Sequence, residues 1–231
     1  MNIQAIIFDL FGTLVDGWTR TGFDRVYAQM DESVSAPYDA FYHVSGEIYP
    51  DTAIGKISSI EENIAQVCRL LNLSPSPQQI AEAANHRYTY TRKLITPDEA
   101  VLKTLRTLKH RSVKLGLISD CSPDVPHLWP ENTLSNLIDQ PTFSCTVGLK
   151  KPDPEIYLLT CRTLGVPPNQ CLYVGDGSSQ ELTGAARVDL RPILKKISLE
   201  DVYDQQRPDV EQWQHTAIDH ISELIDLLDK A

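Results

Sequence analysis

Ile6-Ile7-Phe8-Asp9-Leu10-Phe11-Gly12-Thr13-Leu14 is an apolar stretch that stops at a carboxylate and turns on a glycine and a threonine. From Ile3 to Phe8 nearly every position is apolar, which predicts a strand buried on both faces, as in a parallel sheet. Ligands in open α/β sheets bind beyond the carboxyl ends of the strands. Asp9 is therefore expected at the mouth of a site, with Gly12 freeing the backbone to turn there. Taken alone, the stretch also allows Asp9 to be a plain strand end.

Downstream of this strand the texture changes. From about Trp18 to about Leu94 strand-like runs are missing and helical periodicity takes over. Ser58 to Leu71 places Ile60, Ile64, Val67, Cys68 and Leu71 on one face, and Ser58 with Glu61 fits a capping box. Pro75 and Pro77 interrupt the chain before a second helix, Gln78 to Arg92. The α/β texture returns at Thr96. It predicts a helix over Glu99 to Lys109, a strand over Val113 to Ile118, and a Pro-rich loop from Pro123 to Pro130. A short helix near Leu134 to Ile138 and a strand over Phe143 to Val147 follow. Next come a helix from Pro154 to Leu164 closed by Gly165, a strand over Cys171 to Val174, and a helix over Gln180 to Arg187. Leu190 to Leu194 is the last clear strand, and Ile218 to Leu228 reads as the terminal helix. The alternation implies an α/β fold, a doubly wound, Rossmann-like parallel sheet. Residues 1–17 and 95–231 form its core, and residues 18–94 form a small all-helical insertion.

The 231 residues are 42% hydrophobic and 23% charged, the composition of an ordinary globular chain. A formal net charge of −10 argues against nucleic acid or an anionic membrane as partner, though not against a small anionic substrate in a locally positive pocket. Cys68, Cys121, Cys145, Cys161 and Cys171 are scattered and never form a CxxC pair, which reads as reduced thiols in a cytoplasmic protein. No basic, cleavable leader and no apolar stretch approaching roughly 20 residues is present, so neither export nor a membrane span is expected.

Three further stretches fall into register with the first. Leu115-Gly116-Leu117-Ile118-Ser119 is a strand ending in a hydroxyl. Gly148-Leu149-Lys150-Lys151-Pro152-Asp153-Pro154 carries a lysine pair before a proline. Leu172-Tyr173-Val174-Gly175-Asp176-Gly177 ends in a carboxylate, with Glu181 five residues on. In order and spacing this set resembles the haloacid dehalogenase superfamily of hydrolases, in the branch with a helical cap inserted after the first motif. The resemblance covers nearly the whole chain. It implies that Asp9 is a nucleophile forming a covalent aspartyl intermediate. It also implies that Ser119 bonds a substrate oxygen and that Lys151 neutralises charge, with Lys150 its solvated neighbour. Asp9 and Asp176, with the backbone carbonyl of Phe11, would hold Mg²⁺, and Glu181 would stand behind them. Such an ion favours oxygen ligands and keeps several waters. Thr13, Asp120 and Lys56 are the expected substrate-binding residues. Asp120 stands where many relatives carry Asn, and Lys56 lies in a Gly55-Lys56-Ile57-Ser58 turn like one common in such caps.

One position departs from the phosphatases of this family. They carry a second Asp two residues after the nucleophile to protonate the leaving group and later activate water; here that position is Phe11. The expected reaction is Mg²⁺-dependent hydrolysis of a small phosphorylated metabolite with a good leaving group. Phe11 alternatively speaks for the family's 2-haloacid dehalogenases, whose halide leaves unaided, or for a member that binds a phospho-ligand without turnover. Asp176 and Glu181 favour the metal-dependent branch, because a carboxylate cluster without a cation is electrostatically costly.

Overall fold

In the computed structural model, which describes residues 3–211 and 213–229, the opening apolar run becomes β1 (Ala5–Phe8), with all four residues buried. Parallel pairing to both neighbours explains this burial: Phe8 lies opposite Leu117 of β2 (Lys114–Ser119) and Val174 of β4 (Cys171–Gly175). The sheet is parallel and its order is β3-β2-β1-β4-β5-β6, six strands among the described residues, with β3 at Gln140–Phe143, β5 at Arg191–Lys195 and β6 at Ala217–Ile218. The matched register brings Asp9, Ser119 and Asp176 together at the carboxyl ends of the adjacent strands β1, β2 and β4, the place where a doubly wound sheet binds ligands.

Period-two alternation divides the strands between two cores. Ile6, Phe8, Leu115, Leu117 and Val174 face a layer that includes α5 (Glu99–His110) and α11 (Glu223–Asp229). Ala5, Ile7, Ile118 and Tyr173 face α8 (Pro154–Leu164) and α9 (Glu181–Ala186). Between β1 and α5 the chain forms α1 (Arg20–Val34), α2 (Ala40–Ala53), α3 (Ile60–Leu70) and α4 (Pro77–Leu94). These helices pack round a core of their own, which includes Val26, Met30, Phe41, Ile64, Val67 and Ala84.

Several local expectations shift. The α3 cap is Ser59, whose hydroxyl accepts the Glu62 N–H, while the Glu62 carboxylate reaches back to Ser58; the pairing of Ser58 with Glu61 is one residue out. Ser76 and Gln79 form the reciprocal capping box, at the start of α4. The Pro-rich loop contains α6 (Asp124–Leu128), because Pro123 and Pro126 lie at or before its first turn, where no N–H partner is needed. The strand expected over Phe143 to Val147 instead ends at Phe143, and Ser144–Val147 is a helical turn, α7. Pro141 is tolerated in β3 because that strand is a sheet edge. The C-terminal stretch holds α10 (Pro208–Glu211) and the short β6 before α11, which begins five residues later than expected.

Residues 196–207 cross the seam between sheet and helices. The Arg20 N–H donates to the Asp201 carbonyl, the Tyr203 N–H donates to the Trp18 carbonyl, and Thr21 donates twice to the Asp201 carboxylate. This strap ends at Arg207, directly before α10.

Candidate active site

Three buried carboxylates, Asp9, Asp176 and Glu181, meet beyond the sheet, with oxygens within 4.8 Å of one another. Two glycines permit the approach: a side chain at Gly12, whose φ is +79°, would strike the Asp176 carboxylate, and one at Gly175 would strike Glu181. The Lys151 ammonium, 3% exposed, donates to Asp9 Oδ1 and to Glu181 Oε2, both at 2.6 Å. Glu181 also accepts the Tyr173 hydroxyl at 2.8 Å and the Gly177 N–H at 3.0 Å. Burial pushes the Asp9 carboxyl up to about 6, against the pull of Lys151 and with a further push from Asp176. Burial likewise raises Glu181. For Lys151 burial opposes the charge, but Asp9, Glu181 and Asp120 outweigh it and hold the ammonium well above the usual lysine range.

A second cation was invisible in sequence. Arg207, 7% exposed, places its guanidinium on Asp176 Oδ2 at 2.7 Å. It sits in a polar stretch with no periodicity, and only the strap's path brings it to the site. Asp209, two residues on, accepts the Leu182 and Thr183 N–H groups at the start of α9, which fixes the helix that carries Glu181.

The carboxylates open on a cavity of about 560 Å³ between the sheet edge and α1–α4. Its wall is aromatic. Phe11 packs on Trp18 with ring centroids 5.5 Å apart, Trp18 packs on Phe23 at 5.2 Å, and Tyr203 of the strap stacks on Phe23 at 4.4 Å. Arg87 of α4 lies 4.4 Å over the Trp18 ring and donates its Nε–H to Asp124 at 2.8 Å, a buried ion pair joining α4 to α6. A helical i, i+4 pattern at Phe23 and Tyr27 was the available signal for this wall, but core packing gives the same pattern.

The expected site residues divide into two groups. Asp9, Asp120, Lys151 and Asp176 line the cavity, as does the Phe11 ring. Asp120 accepts the Lys151 N–H at 3.0 Å, so this carboxylate in the place of an amide also positions the lysine loop. Lys150 is exposed. Ser119 is fully buried, and its Oγ has no partner among the described residues. Glu181 stands behind Asp9, clamped by Lys151. Two of the expected residues lie apart from the lining. Thr13 does not line the cavity; its hydroxyl donates to Asp9 Oδ2 at 3.3 Å, because the Gly12 turn folds it back onto the carboxylate. Lys56 also lies away from the cavity. It pairs with Asp51 at 2.7 Å, its side chain 63% exposed, because the Gly55 turn packs against the Cys145 carbonyl and sends the lysine outward.

The donor set fits a hard divalent cation such as Mg²⁺, being all oxygen and buried at one point. Asp9 and Asp176 each keep an oxygen outside the lysine and arginine contacts. The cluster is nevertheless not bare: Lys151 and Arg207 set two positive charges against three carboxylates. The cost of an uncompensated cluster, invoked from the sequence, is therefore partly met by Arg207.

Comparison with known proteins agrees with this frame. The family model of haloacid dehalogenase-like hydrolases matches residues 3–189. A glyceraldehyde 3-phosphate phosphatase of Pyrococcus furiosus is 23% identical, over 99% of this chain and 94% of that protein. An N-acetylmuramic acid 6-phosphate phosphatase of Pseudomonas aeruginosa is 26% identical, over 100% of this chain and 97% of its own. Among solved structures, a 2-haloacid dehalogenase of Pseudomonas syringae superposes with a TM-score of 0.73 at 19% identity, covering 99% of both chains.

Proposed function

The chain belongs to the haloacid dehalogenase-like hydrolases, and from that premise we propose that it hydrolyses a small phosphorylated molecule through a covalent intermediate on Asp9, with Mg²⁺ as cofactor. The observation that carries this reading is the buried Asp9–Lys151–Glu181 bridge beside Asp176, at the floor of a walled cavity. The phosphatase names of the two curated relatives support the substrate class.

In this reading an Asp9 oxygen attacks phosphorus, and the leaving oxygen departs with its bonding electrons. Water then cleaves the aspartyl-phosphate, returning Asp9 and inorganic phosphate. A carboxylate is a weak nucleophile and works when its charge is held and the electrophile is neutralised. Lys151 keeps Asp9 ionised and aimed. The unpartnered Ser119 Oγ is the donor for a phosphoryl oxygen, since a buried hydroxyl left unpaired is otherwise costly. Asp9 and Asp176 would hold the metal, which when bound supplies charge neutralisation for the phosphoryl oxygens. The helical unit α1–α4, residues 18–94, is the cap that closes the cavity and excludes water. Phe11 offers no proton, so the leaving group departs as an anion stable by itself.

The test is phosphate release from a panel of phosphate esters with Mg²⁺ and in chelator, beside Asp9→Asn. Release that requires both the metal and Asp9 is expected. Equal release from Asp9→Asn would remove Asp9 from its role. The second reading, a metal-independent 2-haloacid dehalogenase, is favoured by Phe11 and by Arg207 on Asp176. Halide release from 2-haloacids in chelator, with no phosphate release from any ester, would establish it instead.

A further inference from the structure

Seven of the chain's seventeen aromatic residues line the cavity, a concentration a sugar-sized polar leaving group does not need. Flat apolar walls of this kind recognise a ring, through offset or edge-to-face contacts. Among the aromatic side chains of this wall stands a buried cation, Arg87. This side chain is 6% exposed and lines the cavity, yet only its Nε is used, in the bond to Asp124. Its two terminal amino groups have no hydrogen-bond partner among the described residues. They are not among the fully enclosed, unpaired atoms either, and Arg87 is part of the cavity lining. Asp124 compensates the charge, and stacking over Trp18 locks the plane of the fork. A locked guanidinium with two free amino groups matches a planar pair of oxygens, above all a carboxylate.

From these residues we infer that Arg87 forms a distal subsite for a carboxylate, and that the substrate is a phosphate ester of an aromatic ring bearing that carboxylate. This deepens the proposed phosphatase reading and rests on it. Two independent features converge on the same class. The ring fills the space between the aromatic walls while its carboxylate meets Arg87. Its phenolate oxygen leaves without a proton, which suits a site with Phe11 where an acid would stand.

The experiment compares 4-carboxyphenyl phosphate with phenyl phosphate and with glycerol phosphate, on the wild-type enzyme with Mg²⁺. A charge-assisted bidentate contact predicts a kcat/KM for the carboxylated ester at least about tenfold above phenyl phosphate, with glycerol phosphate lowest. Arg87→Lys retains the charge opposite Asp124 but loses the fork, and should bring the ratio of the two aryl esters close to one. In Asp9→Asn, which cannot turn over, benzoate should quench or shift Trp18 fluorescence saturably, and the Arg87→Lys, Asp9→Asn double variant should lose that response. If Arg87→Lys does not fold, the wild-type ratio and the benzoate titration decide alone. Phosphate release at equal efficiency from both aryl esters, or no benzoate response, overturns the subsite while leaving the phosphatase reading intact. No phosphate release from any ester overturns that reading itself, and benzoate binding then reports on Arg87 separately.

Discussion

At the scale of single residues, the proposed chemistry rests on Asp9 and Phe11. Burial holds the Asp9 carboxyl up at about 6, in spite of Lys151. The attacking species is the carboxylate, so turnover at limiting metal should fall as the pH drops through about 6. A metal held by Asp9, as proposed, would stabilise the carboxylate, so saturating Mg²⁺ should move that limb to lower pH; a limb indifferent to Mg²⁺ would separate Asp9 from the metal. The same shift enters stability. The native chain holds this proton up to about 6 and the unfolded chain only to 3.8. The stabilisation is therefore fully present below 3.8 and is lost as pH rises through about 6. Phe11 leaves a kinetic mark, since acid–base assistance is worth about 10²–10⁴-fold. Alkyl phosphates should be poor substrates, and the aspartyl-phosphate should accumulate, giving a burst of leaving group before slow turnover. Phe11→Asp should raise turnover on alkyl phosphates by roughly 10-fold or more. Its folding needs checking first by circular dichroism, because Phe11 packs on Trp18. Equal wild-type rates on alkyl and aryl esters without a burst would mean that another group supplies the proton. Asp9, Lys151 and Asp176 were legible because each sits at a fixed register after an apolar strand or before a proline. That Thr13 and Lys56 lie apart from the cavity lining was not legible, because a loop side chain's direction depends on what its turn packs against.

Among the elements, the 196–207 strap has the largest consequence. It is tied to Trp18, Arg20 and Thr21 and delivers Arg207 to Asp176. Removing one member of a buried ion pair typically costs about 3–5 kcal/mol, because the other charge is stranded. Arg207→Gln should therefore lower the melting temperature in chelator, and Mg²⁺ should restore more stability to it than to wild type, with tighter Mg²⁺ binding by calorimetry. A Mg²⁺-induced gain equal to that of wild type would mean that Arg207 and the metal do not share Asp176. Helix starts follow simpler rules. Ser76→Ala removes one half of the α4 capping box and should cost about 1 kcal/mol in denaturant unfolding, with an unchanged slope. The strap was not readable from sequence: it is polar and aperiodic, and its bonds join residues some 180 positions apart.

Across the whole molecule, the net charge of −10 acts on every anionic substrate. Along the cavity lining Arg20, Arg87, Lys151 and Arg207 face Asp9, Asp120, Asp176 and Asp204, so the metal-free site adds no local excess to offset it. Raising ionic strength from about 0.01 M to about 0.15 M shortens the screening length from about 30 Å to about 8 Å. Binding of inorganic phosphate to the metal-free protein should then tighten, by about twofold, where a positively charged site would bind more weakly. A fall with salt would show that the local cations dominate the approach. The sequence by itself determined the parallel α/β sheet, the helical insertion and the carboxylates at the strand ends. Those features are written in local periodicity and in short-range register, which the chain carries with it wherever it folds. Only the tertiary structure decided that Arg207 compensates Asp176, that Arg87 stands with free amino groups among aromatic rings, and that Lys56 turns away. Each of these depends on which distant segment comes to lie opposite, and that is fixed by the packing of helices and strap against the sheet edge rather than by any neighbouring residue.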